Sequence, residues 1–125
     1  MARILLAEDD EGLRNVLAAA LRKAGHEVDA VACGRSGLTR VQVLRYDLLL
    51  ADVVMPGLDG IELARRAGAR WPEIRVMFIT GFAAVALSPR NHPPAGARVM
   101  SKPFHLNDLA QQVEEVLAAE PTPPA

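Results

Sequence analysis

Glu8, Asp9, Asp52, Thr80 and Lys102 share one placement: each stands at or next to the point where a short apolar run stops. Ile4-Leu5-Leu6-Ala7 runs into Glu8-Asp9, and Leu48-Leu49-Leu50-Ala51 runs into Asp52. Val76-Met77-Phe78-Ile79 ends at Thr80, and Val99-Met100-Ser101 ends at Lys102. If those runs are neighbouring strands, three carboxylates, one hydroxyl and one ammonium meet in one crevice. Carboxylates ~4 Å apart repel by about 4 kcal/mol per pair at an effective dielectric near 20, so they stay ionised only around a cation. Hard oxygen ligands with open positions suit Mg²⁺, which keeps waters and takes one or two protein carboxylates together with phosphate oxygens. A carboxylate can also attack phosphorus and form an acyl phosphate. The charge that develops then calls for a metal, a lysine and hydroxyl or backbone donors. Asp52 is the candidate nucleophile, because its strand lies between the acid pair and the Thr/Lys side. Lys102 offers the point charge, Thr80 the hydroxyl, and Gly81 a backbone N–H that no side chain obstructs. Each residue taken alone reads as an ordinary polar loop residue; the joint placement carries the chemistry.

The elements that must position this set follow from periodicity. The four-residue runs that begin at Ile4, Leu48 and Val76, with the shorter Val99-Met100-Ser101, read as strands buried on both faces. A weaker alternation over residues 28–32 adds another. Leu13, Val16, Leu17, Ala20, Leu21 and Ala24 recur at helical spacing and Gly25 follows as a stop. Leu38, Val41 and Leu44 mark a second helix after Gly34. Asp59 with Glu62 three residues on reads as a capping box, with Ile61 and Ala64 starting the apolar face of the helix it opens. Leu106, Leu109, Val113, Val116 and Leu117 form the stripe of the last helix. Strands and helices alternating in this way predict a doubly wound α/β fold with a five-stranded parallel sheet. Such sheets bind ligands at the carboxyl ends of their strands.

Composition bounds the rest. The 125 residues fit one domain, expected over residues 1–119, which would bury roughly two-thirds of its unfolded surface. Half the residues are apolar, which excludes a disordered chain. A net charge of −1, with Arg and Lys spread along the sequence, gives no footprint for DNA. The single cysteine, Cys33, cannot form an internal disulfide and reads as a small half-buried filler. The apolar run at residues 4–7 is too short for a signal peptide or a membrane span, so a cytoplasmic protein is expected. Residues 120–125, with three prolines, are expected to fray. His26 and His92 have no acid–base partner nearby in sequence, His105 reads as a surface or N-cap residue, and Trp71 as a partly exposed anchor.

Glu8-Asp9, the run Asp52-Val53-Val54-Met55-Pro56-Gly57-Leu58-Asp59-Gly60, Thr80-Gly81 and Lys102-Pro103-Phe104 together resemble the receiver domains of two-component response regulators. The likeness covers residues 2 to about 118 in order and spacing. It implies a flavodoxin-like, CheY-like fold and a phosphoryl group carried on Asp52. It further implies that Asp9, Asp52 and the Val54 carbonyl ligate Mg²⁺, with Glu8 holding a metal-bound water. Thr80, Gly81, Lys102 and Val54 would surround the phosphoryl group, and Lys102-Pro103 would be a cis peptide. Asp10 matches no ligand position and is expected at the start of the first helix.

Residues 4–10, 55–56, 60–67, 76–87 and 101–106 are similar to the single-domain regulators of the CpdR type. That likeness implies a stand-alone monomeric adaptor whose unphosphorylated form helps the ClpXP protease engage its substrates. The phosphate would come from a histidine kinase through a histidine phosphotransferase. A relay intermediate or phosphate sink without a protease partner is chemically the same at Asp52 and stays open. In neither case is the protein an enzyme with turnover on a metabolite, beyond its own phosphorylation and slow hydrolysis. A haloacid-dehalogenase-type phosphatase would need an acid at position 54, where Val54 stands. A nucleotide-binding domain would need a Gly-rich turn where Glu8-Asp9-Asp10-Glu11 stands. Two departures from the receiver pattern stand out. Val99 occupies the position of the usual fifth-strand aromatic ring, and Pro89, Pro93 and Pro94 interrupt the fourth helix. A short helix over residues 82–87 followed by a loop over 88–96 is expected there, with Phe82 and Val85 on a docking face.

Overall fold

The computed structural model describes residues 2–81 and 97–119. The expected short helix over 82–87, the loop over 88–96 and the frayed tail over 120–125 lie outside the described residues. The chain alternates β1 (Arg3–Ala7), α1 (Glu11–Lys23), β2 (Glu27–Val31), α2 (Gly34–Val43), β3 (Leu48–Asp52), α3 (Gly60–Arg70), β4 (Arg75–Thr80), β5 (Arg98–Ser101) and α4 (Leu106–Ala118). The strands form one parallel sheet in the order β2-β1-β3-β4-β5. This is the doubly wound order in which the chain reverses direction between β1 and β3, the usual place for a ligand crevice.

Every side chain of β3 is buried, from Leu48 to Asp52. Alternate residues of each strand feed two separate cores. Leu5, Leu49 and Phe78 pack with Val41 of α2 and Ile61 and Leu63 of α3. Ile4, Leu6, Leu50 and Met77 pack with Leu17 and Leu21 of α1 and Leu109 and Val113 of α4. The sheet is therefore covered on both sides, which is why its strands read as continuous apolar runs rather than alternating ones.

The helices start and stop where their caps direct. The Asp10 side chain accepts the Leu13 N–H at 2.9 Å and caps α1, the place expected for it. Gly25 follows α1 with φ +101°, a left-handed stop. The Asp59 side chain accepts the Glu62 N–H at 2.8 Å and caps α3. The reciprocal half of the expected box is replaced, because the Glu62 carboxylate turns outward to Arg65 and Arg66 at 3.3 and 3.2 Å.

Four apolar residues leave the stripes assigned to them: Val16, Ala24 (the C-cap of α1), Leu44 and the exposed Leu106 of α4. Val16 is 47% exposed on α1, where Leu17, Ala18 and Leu21 make the buried face. Leu44 is the C-cap of α2 rather than part of its stripe, so the second helix ends at Val43. The remaining strand limits move by a residue or so, with β2 starting at Glu27 rather than at residue 28. Cys33 is half-buried at the N-cap of α2, and Trp71 ends α3 with its indole N–H donated to the Val41 carbonyl at 2.6 Å.

Gly60 opens α3 directly against the backbone of Asp52: a Cβ there would collide with the Asp52 carbonyl oxygen. The close approach fixes the β3–α3 turn that carries the acid. Gly60→Ala should therefore destabilise the domain by about 1–3 kcal/mol, read as a lower midpoint in denaturant unfolding. An unchanged midpoint would show that the turn yields at no cost.

Candidate functional site

Strand register brings the predicted residues together. Ala7 pairs with Ala51 across β1 and β3, so Glu8 and Asp52 emerge side by side at one sheet edge. Thr80 pairs with Ser101, and the next residue, Lys102, donates its backbone N–H to the Thr80 carbonyl at 2.8 Å. Pairing runs one residue past other strand ends too, with the Glu8 N–H on the Val31 carbonyl and the Val53 N–H on the Ile79 carbonyl, both at 3.1 Å. The edge that holds the acids is thus fixed by backbone bonds on all four strands.

Lys102 stands at the centre of the group. Its Nζ donates to Glu8 Oε1 at 3.0 Å and to Asp52 Oδ2 at 2.9 Å. The other oxygens of these carboxylates take backbone donors: the Asp10 N–H reaches Glu8 Oε2 and the Val54 N–H reaches Asp52 Oδ1, each at 3.0 Å. Glu8 and Thr80 have no solvent exposure, whereas Asp9 is exposed at the mouth. The Lys102–Pro103 peptide is cis. Gly81 is exposed beyond Thr80, with open space where a Cβ would sit, and Val54 is half-exposed beyond Asp52.

Charge does not balance within this group. Burial pushes the Glu8 carboxyl up to about 7, against the pull of the Asp10 N–H and the Lys102 ammonium, and the Asp52 charge pushes the same way. Burial presses on the Lys102 ammonium, yet the carboxylates of Asp52 and Glu8 outweigh it and hold its pKa above the ordinary lysine value. Oxygens of Glu8, Asp9 and Asp52 lie within 4.8 Å of one another, facing a single ammonium. Three hard oxygen donors with surplus negative charge and one open, exposed side fit a small divalent cation such as Mg²⁺.

The structure also shows pairings that the sequence order hides. The His26 ring is buried; its Nδ1 accepts the Ala2 N–H at 3.2 Å, and Nε2 lies 2.9 Å from Glu114 Oε1 on α4. A partner 88 positions away leaves no local signal, which is why the sequence places no acid–base partner near His26. His105 is exposed at the N-cap position of α4 and its side chain makes no capping bond.

The sequence pattern of the response regulator receiver domain matches residues 4–114. The chain belongs to that family. It is 54% identical over 119 residues to the response regulator receiver protein CpdR of Brucella abortus, covering 95% of this chain and 99% of that one. The crystal structure of the receiver domain of the hybrid histidine kinase CckA matches with a TM-score of 0.78 and 34% identity, over 92% of this chain and 98% of that one. The receiver domain of the sensor histidine kinase PA1611 of Pseudomonas aeruginosa PAO1, crystallised with a magnesium ion in its active site cleft, matches with a TM-score of 0.80 and 25% identity over 94% and 98% of the two chains. Receivers also occur inside far longer proteins: the match spans 12% of the sensor kinase CckA of Brucella abortus. The chain is thus a receiver domain of the two-component response regulators, on the doubly wound fold its sequence predicts. Among the described residues no helix is long and apolar enough to cross a membrane.

A carboxyl that holds its proton more tightly folded than unfolded favours the folded state at low pH. For Glu8 that advantage is complete below about 4.5 and is lost as the pH rises through about 7. In chelator-treated buffer the melting temperature of the wild-type protein should therefore fall, relative to Glu8→Gln, across that interval. Parallel pH profiles for the two proteins would remove Glu8 as the titrating group.

Proposed function

We propose that the chain acts as a stand-alone response regulator, accepting a phosphoryl group from a phosphohistidine on Asp52 and controlling a partner protein through contacts that depend on that modification. The observation that carries this reading is the Lys102 ammonium bonded at once to Asp52 and Glu8 at the carboxyl edge of the sheet. A carboxylate oxygen of Asp52 attacks phosphorus while the P–N bond to the donor histidine breaks. The electron pair of that bond leaves with the imidazole nitrogen, and Asp52 becomes an acyl phosphate. Lys102, already seated against Asp52, exchanges that carboxylate for the phosphoryl oxygens. The Thr80 hydroxyl and the unobstructed Gly81 N–H add donors, and the Val54 N–H keeps Asp52 oriented. Asp9, Asp52 and the Val54 carbonyl would hold Mg²⁺, with Glu8 behind a bound water; when bound, the ion adds positive charge against the phosphoryl oxygens. No metabolite is turned over in this cycle, and no DNA-binding or membrane role is assigned.

The finer reading is an adaptor for the ClpXP protease, active when Asp52 is unmodified, with the phosphate supplied by a histidine kinase or histidine phosphotransferase. Its support is the likeness to CpdR over nearly the whole of both chains. We assign residues 1–119 to the receiver domain and take it to work as a cytoplasmic monomer.

Incubation with a small-molecule phosphodonor and Mg²⁺ should add one phosphoryl group, mapped to Asp52 after reductive trapping. Asp52→Ala should take up none, and label surviving in that variant would overturn the assignment. In a reconstituted assay the unmodified protein should speed ClpXP degradation of an adaptor-dependent substrate, and the form loaded with Mg²⁺ and beryllofluoride should not. Phosphoryl transfer from Asp52 to a histidine phosphotransferase, with no effect on the protease in either state, would establish the relay reading instead.

A further inference from the structure

The fold gathers a charge that the sequence spreads out. Arg35, Arg40, Arg45, Arg65, Arg66 and Arg70 are scattered over thirty-six positions, yet all six are exposed, and α2 and α3 pack against one another on the same side of the sheet. The carboxylates paired with them are Asp29, Glu73 and Glu62. Arg35 and Arg70 have no carboxylate within ion-pair distance among the described residues, and Arg70 lies over the Trp71 ring at 3.8 Å. α4, on the opposite side, carries Asp108, Glu114 and Glu115 and no basic residue.

Arg40, Arg45 and Arg70 flank an apolar centre where α2 and α3 end, whereas Arg35 stands at the opposite end of α2. Val43 is 73% exposed, the most exposed of the large apolar residues described, and Leu44 beside it is 37% exposed. Trp71 joins them, since its indole N–H is held by the Val41 carbonyl. Aliphatic and tryptophan surface rimmed by guanidiniums has the make-up of an energetic centre in a protein interface. Neither core uses Val43, and no cap or ion pair accounts for its exposure.

We propose that this surface, centred on Val43, Leu44 and Trp71 and rimmed by Arg40, Arg45 and Arg70, docks an acidic segment of a partner protein that also carries aliphatic side chains. Charge complementarity selects the partner: the Arg70 guanidinium, unpaired among the described residues, with Arg40 and Arg45 able to exchange Asp29 and Glu73, for its carboxylates, and the valine–leucine–tryptophan centre for its apolar residues. The surface lies at the edge where β3 and β4 begin, whereas Asp52 ends β3. Leu48 to Asp52 spans ~13 Å at the strand rise per residue, so the two sites occupy opposite edges. Docking here is therefore constitutive, holding a partner whatever the state of Asp52, and it stands apart from the modification-dependent contact proposed above.

The test is a titration of the isotope-labelled full chain with a synthetic glutamate-rich peptide carrying interspersed leucines, followed through backbone amide shifts. Shifts should centre on residues 40–45 and 65–75. Val43→Ser and Arg70→Glu, both exposed positions that leave the cores intact, should each weaken binding by about fivefold or more. Loading with Mg²⁺ and beryllofluoride should leave the affinity unchanged within about twofold, as expected for uncoupled sites. Shifts confined to other faces, or equal binding by both variants, would overturn the proposal. Tighter engagement of the same residues by duplex DNA or anionic phosphatidylserine vesicles would also overturn it. So would concentration-dependent self-association abolished by Val43→Ser, by assigning the surface to a second copy of the chain.

Discussion

Glu8 and Asp52 are carboxylates almost without solvent, and the Lys102 ammonium, 3.0 and 2.9 Å from them, holds them in one place. Taking such charges out of water costs several kcal/mol per ion, which their attraction repays only when the remaining oxygens are also bonded. Here they are: the Asp10 and Val54 N–H groups complete the two carboxylates. No buried side-chain oxygen or nitrogen among the described residues lacks a partner. The arrangement still sets two carboxylates against one ammonium, and burial, aided by the Asp52 charge, keeps the Glu8 carboxyl pKa raised to about 7. A site held in this condition is ready for whatever brings positive charge or reorganises the lysine.

The sheet exists in the form that this contact requires. Lys102 is 94 positions from Glu8 and 50 from Asp52, so neither bond can form unless β1, β3, β4 and β5 lie in the observed order and register. A slip of one residue in β3 would turn Asp52 to the opposite face and its apolar neighbours with it. The cores on the two sides oppose such a slip, because Leu49 and Leu50 belong to different clusters and could not exchange them without leaving cavities. The turns then supply the fine placement. Gly60 closes against the Asp52 backbone, and Asp10 and Asp59 start the helices that follow two of the acidic strand ends.

The fold and the acid–lysine cluster were legible because each depends on a signal confined to a few consecutive residues. An apolar run such as Leu48–Asp52 announces both its own burial and the position where it stops. Four such runs in parallel place four stops at one edge. Residues whose setting is decided by distant chain were not legible. Val16 lies beside the buried face that Leu17, Ala18 and Leu21 make on α1, and Leu44 falls past the end of α2 where the backbone turns extended, so both are left in water. His26 finds Glu114 only because α1 and α4 cover the same core. The arginines of α2 and α3, with Arg45 just past α2, looked dispersed for the same reason: their neighbours are across a helix pair, not along the chain.

Val99 leaves β5 without an aromatic ring beside the site. It is half-buried, packs against the core shared with α2 and α3, and stands opposite Phe78 in the register of β4 and β5. A β-branched side chain has one favoured χ1 in most settings and little reach, so it cannot alternate between an exposed and a buried pose as an aromatic ring can. The direct link between the two sides of the site is instead the backbone bond from the Lys102 N–H to the Thr80 carbonyl. Thr80 and Lys102 are also the two residues whose side chains the proposed chemistry recruits to one phosphoryl group. That bond ties the end of β4 to the residue that follows β5, so the two donors are held at a fixed backbone spacing.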